Sequence, residues 1–236
     1  MQDDAHDVER QLDAWAARQS HVGMSPELER NVREALKSSL TAVKPVPSRG
    51  WFFLAFITIF VVGSAGLLAF FTRPGLQLMT PVQISVISVI FFGGGTLFAR
   101  KLTEQMIPGS RPGIPLWGLL TVGGVFVLGG LATLFPWQTP GISVSQGWPC
   151  ALMEVTIVIP AIAVSWLLAR RGALFASAGL GATLTGLAAF LVLIPVQFHC
   201  MFQLSPHLLI WHGGAALLMI GLGALGGNLC RGRLIW

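Results

Sequence analysis

Six apolar stretches, at about residues 51–71, 80–99, 114–135, 150–169, 173–197 and 208–229, fill most of this chain, each parted from the next by a short break. The hydrocarbon core of a bilayer is about 30 Å thick and takes about 20 helical residues to cross, so each stretch suffices for one crossing. In lipid the backbone has to satisfy its own N–H and C=O groups, which makes a helix of each run. The breaks "TRPG" (72–75), "RKLTEQMIPGSRPG" (100–113), "PWQTPGISVSQGWP" (136–149), "ARRG" (169–172) and "HCMFQLSPH" (199–207) hold the charges, prolines and glycines that end helices. The expected fold class is all-α, a polytopic membrane protein with six transmembrane helices over residues 51–236. A content of 53% hydrophobic and 11% charged residues agrees with that and sits badly with a soluble domain.

Lysine and arginine set the expected orientation, because positive loops are retained in the cytoplasm during insertion. Arg30, Arg33, Lys37, Lys44 and Arg49 precede the first run; Arg100, Lys101 and Arg111 lie in the second break, Arg170 and Arg171 in the fourth, Arg231 and Arg233 in the tail. The first break has only Arg73, and the third and fifth have neither residue. Both termini are therefore expected in the cytoplasm. Trp51, Trp117, Trp137, Trp148, Trp211 and Trp236 fall near run ends, as interfacial anchors do. Glycine clusters such as "FFGGGT" (91–96) and "GLGALGGN" (221–228) suit close helix packing.

Residues 1–50 form a separate polar head holding eight of the ten acidic residues, so only Glu104 and Glu154 lie beyond it. The head opens with acids, so no cleavable signal peptide is expected. Val8, Leu12 and Trp15 share one face of a first expected helix. Leu28, Val32 and Leu36 do so on a second, with Ser25 at the N-cap and Pro26 at its first position. Some forty residues enclose no sizeable core, so these stripes pair with each other or with a partner. The acidic first helix suits a lipid surface poorly. The net charge of +5 is spread over short loops rather than along one helix face, so no direct binding of nucleic acid is expected.

The chemistry gathers in "QFHCMFQLSPHLLIWH" (197–212) and at the start of the fourth run. Cys150 opens that run and Cys200 closes the fifth, so the alternation sets both at the outer surface, where an oxidising compartment permits a disulfide. Three readings stay open: a structural or switchable disulfide, two inert buried thiols, or a soft-metal site completed by His199 or His207. His212 is expected to be hydrogen-bonded at a helix end rather than to act as a ligand. Glu154, one turn from Cys150, is an ionisable residue within a span and so a supporting candidate, placed where it could snorkel outward. Cys230 is expected at the cytoplasmic end.

The motifs "SLTAVKPVPSRGW" (39–51), "GWPCALMEV" (147–155), "FHC" (198–200), "LLIWH" (208–212) and "GNLCRGRLIW" (227–236) resemble those of the NrsF family of bacterial integral-membrane anti-sigma factors, over about residues 38–236. The resemblance implies a protein of the bacterial inner membrane. Its cytoplasmic head would hold an extracytoplasmic-function sigma factor inactive through Val8, Leu12, Trp15, Leu28, Val32 and Leu36. Cys150 and Cys200 would perceive external metal or oxidative stress. The head extends beyond the family's usual short start, so binding by its first helix goes beyond what the resemblance covers. No catalysis and no cofactor are expected. A small transporter or channel is the alternative, but Glu154, Pro160 and Gln83 are thin equipment for one and no inverted repeat appears. A thiol oxidoreductase would need a second communicating cysteine pair.

Overall fold

The structure, a computed structural model, describes residues 25–27, 30–31, 34–35, 47–107, 113–138, 143–172, 174–175, 177–230 and 234–235. The chain divides into two units, Met1–Pro45 and Val46–Trp236. In the first, residues 26–27, 30–31 and 34–35 are helical, directly after Ser25. Val8, Leu12, Trp15, Leu28, Val32 and Leu36 lie outside the described residues.

Six helices long and apolar enough to cross a membrane make up the second unit: α1 (Arg49–Phe70), α2 (Pro81–Gln105), α3 (Leu116–Leu134), α4 (Val144–Ala169), α5 (Ala178–His199) and α6 (Ser205–Leu229). Local chemistry fixes where they begin. The Ser48 hydroxyl accepts from Trp51 N at the start of α1, and Thr80 closes a reciprocal capping box with Gln83 ahead of Pro81. The Ser177 hydroxyl accepts from Leu180 N at α5. Two helices outrun their apolar stretches, because hydropathy marks the hydrocarbon while the helix continues into the headgroup layer. The second continues to Gln105, where Arg100 and Lys101 pair with Glu104 one turn on. The fourth starts at Val144, so Cys150 sits inside it rather than opening it.

The packing centres on α5. Its apolar window is 89% buried, whereas no other helix exceeds 33%. A helix apolar on all sides belongs inside, and Gly181, Ala182, Gly186, Ala188 and Ala189 let neighbours close in on it. Helices α1, α2, α4 and α6 all pack on it, while α3 lies against α2 and the start of α6. The tightest seam is α5 on α6. A Cβ on Gly181 would strike the Gly223 carbonyl oxygen, and one on Gly227 the Ser177 carbonyl oxygen, so the two backbones touch. On the far faces large apolar side chains such as Leu54, Val89, Phe126 and Leu218 are exposed, as lipid contact requires.

The bundle has two chemically different ends. At one, Glu104, only 7% exposed, receives Arg49 Nη2 at 3.2 Å, Arg100 Nε at 3.3 Å and Lys101 Nζ at 3.4 Å, tying the start of α1 to the end of α2. Gly172, just after α4, packs on Met106. Leu174–Phe175 pairs antiparallel with Leu234–Ile235, a two-residue ladder the apolar pattern did not announce. This end is basic, and the cysteine–histidine segment lies at the other. Removing the carboxylate in Glu104→Ala would strand three cations, two of them well exposed. The expected loss is about 2 kcal/mol, discounted for that exposure. Thermal unfolding in detergent measures it, and an unchanged midpoint would show that the cluster does not hold the helix ends.

Candidate functional site

A short stretch of chain, rigidly tied, carries the polar end. The Cys200 N–H donates to Val196 O at 2.9 Å, ending α5. Gln203 Nε2 donates to the carbonyls of Gln197 at 2.9 Å and Cys200 at 2.7 Å, while Gln197 Nε2 donates to Gln203 Oε1 at 2.7 Å. The Ser205 hydroxyl lies against the carbonyls of Leu131 and Phe135 at 2.9 and 2.6 Å, and Ser205 N donates to Pro136 O at 3.0 Å, which clamps the loop to the end of α3. From the first loop, Gly75 presses on the Cys200 carbonyl, where no Cβ would fit. Gly147 does the same against the Trp211 indole, bringing α4 hard up to α6.

Four side chains converge inside this frame. The Cys150 and Cys200 sulfurs stand 3.9 Å apart, and Cys200 Sγ lies 3.4 Å from His207 Nε2. His212 joins them: one donor atom from each of the four falls within 4.8 Å of the others. Cys200, His207 and His212 are buried and Cys150 is half-buried. The His207 and His212 rings are 5.6 Å apart although they stand at positions i and i+5. In an α-helix that spacing turns through about 140° away from alignment, at 3.6 residues per turn. Here Leu208–Gly213 is a π segment, whose hydrogen bonds run from i to i+5, and it returns both imidazoles to one side.

The donor set can take a metal. Two thiolates and two imidazoles are the ligands of tetrahedral zinc and of other soft ions. Sulfurs each about 2.3 Å from one tetrahedral ion stand about 3.8 Å from each other, close to the separation found. A disulfide needs them at about 2.05 Å, so oxidation would draw α4 and the end of α5 together. Both His212 nitrogens and His207 Nδ1 lack hydrogen-bond partners among the described residues. Buried polar atoms of that kind call for an ion or water. The hydrogen bond with Cys150, then burial, holds the Cys200 thiol well above the ordinary thiol range, so a metal has to displace its proton.

A family model described as NrsF, negative regulator of sigma F, matches residues 36–231. The chain belongs to the NrsF family. No curated protein and no solved structure matches it.

Within this NrsF-family chain the expected site residues separate clearly. Cys150, Cys200 and His207 come together. His199 does not: its Nδ1 lies 2.8 Å from Thr72 O and its ring sits tilted against Phe71, so it anchors the first loop. His212, read from sequence as a helix-end group, is instead the fourth member of the cluster. Glu154 is fully buried with neither carboxylate oxygen partnered among the described residues, so it does not snorkel. It lies one turn along α4 from Cys150 and outside the four-atom cluster. Cys230 is exposed at the basic end.

Proposed function

We propose that this chain is an integral-membrane anti-sigma factor of the bacterial inner membrane, with both termini in the cytoplasm and no catalysis of its own. Its head binds an extracytoplasmic-function sigma factor through the apolar faces of Val8, Leu12 and Trp15 and of Leu28, Val32 and Leu36. Family membership supports the sigma-factor partner. The alternation of lysine and arginine supports the orientation.

The observation that carries the sensing half of the reading is the convergence of Cys150, Cys200, His207 and His212 at the end of the bundle away from the basic one. A soft metal ion arriving from outside would be chelated by all four, whereas an oxidant would join the two sulfurs and leave the imidazoles aside. Glu154 supports the site from within α4. Metal binding changes how α4 and α6 sit on α5, and oxidation how α4 does. A head with two packings to choose from needs only about 1.4 kcal/mol of bias for a tenfold change in its hold on the sigma factor.

The test uses the full chain in its own membranes. Affinity capture followed by mass spectrometry should recover a sigma factor, and Leu12→Asp with Leu36→Asp should lose it. Exposure to metal or oxidant should release it. If no sigma factor is enriched over a control membrane protein, the reading is wrong.

A further inference from the structure

Helices α1 and α4 both pack on α5 but not face to face with each other. Between them, at the basic end, a groove of about 500 Å³ remains open to the outside of the bundle. Leu54, Ala55 and Ile59 line one wall, Val164 and Leu167 the other, and Trp51 and Arg171 stand among the lining residues at its basic end. Arg171 has no carboxylate partner among the described residues, in contrast to Arg49 and Arg100, which turn to Glu104.

We propose that this groove binds an anionic phospholipid, with one acyl chain between α1 and α4 and the phosphate on Arg171. The inference rests on reading the six helices as membrane spans and extends beyond sigma-factor binding. The groove follows α1 from Trp51 to Ile59, roughly 12 Å of helix at 1.5 Å per residue. A groove of that length lying along two apolar helices suits a hydrocarbon chain, and its one charged lining residue, Arg171, suits an anionic headgroup. Walls that are apolar apart from Thr58 disfavour a free polar ligand. On that reading the Arg171 guanidinium and Trp51 indole, at the span ends, fall near the headgroup layer, and a basic pocket between helices there selects negative headgroups.

Native mass spectrometry of the full chain, purified in detergent and offered phosphatidylglycerol or phosphatidylcholine of identical chains, tests this. Retention of phosphatidylglycerol should exceed that of phosphatidylcholine by about five-fold. Arg171→Gln should bring the two level. Ala55→Trp, which fills the groove, should lower retention of both, and millimolar inorganic phosphate should displace neither. Independently of any folding defect, brominated phosphatidylglycerol in vesicles should quench a fluorescence component that Trp51→Phe lacks. Equal retention of the two lipids by the unaltered chain overturns the headgroup assignment. Undiminished retention in a folded Ala55→Trp protein, or no quenching assignable to Trp51, overturns the groove. Each of these failures leaves sigma-factor capture untouched, so the two readings fall separately.

Discussion

A protein carrying His212→Ala is expected to lose tight binding of a soft metal ion by about 100-fold or more while still joining Cys150 to Cys200 under oxidant. Cys200→Ser should lose both reactions. Removing one of four ligands leaves three donors and an open coordination position, a larger loss than the 10–100-fold typical of outer-shell changes. The disulfide uses only the sulfurs, already 3.9 Å apart, and so survives loss of the imidazole. Competition against a chromophoric chelator reads the first reaction, and thiol labelling before and after reductant reads the second. The Cys200 thiol gives up its proton on binding metal, so affinity should rise with pH. Unimpaired metal binding in His212→Ala would remove His212 from the site and leave Cys150, Cys200 and His207.

The second large effect lies at the seam of α5 and α6. Gly181→Val should cost more than about 3 kcal/mol and yield little folded protein, because the new side chain would meet the Gly223 carbonyl and not a side chain able to turn aside. Gly221→Val provides the contrast, since nothing stands within 4 Å of a Cβ there. Size-exclusion profiles and thermal unfolding in detergent should show Gly181→Val aggregated or absent and Gly221→Val near normal. Equal behaviour of the two would mean that the helices can separate without loss.

The six crossings were plain in the apolar runs because a bilayer imposes one length on all of them. Their arrangement was less plain: which run becomes the buried centre depends on how small residues are spread around the whole circumference of α5, while the expected packing clusters drew attention to "FFGGGT" and "GLGALGGN". Two of those glycines, Gly223 and Gly227, do lie in the seam. The site was half legible. Cys150 and Cys200 followed from counting crossings. His212 was missed because five-residue spacing opposes two side chains on an α-helix, and nothing in "LLIWH" announces a π turn. His199, adjacent to Cys200 in sequence, points to Thr72 instead, since adjacent residues at a helix end diverge. The burial of Glu154 was hidden for a related reason, as depth along a helix says little about which side of it faces α5.

A helix at the rim of a bundle can tilt or rotate by trading one lipid contact for another, at small cost. The fifth helix has almost no such freedom, because four other crossings enclose it and backbone meets backbone along one of them. A pull on its Cys200 end is therefore resisted along the enclosed length of the helix, with Pro195 the one break in its backbone ladder. Like an axle in a tight hub, it admits few intermediate positions, so under the proposed function a graded dose of metal or oxidant should release the sigma factor as a step.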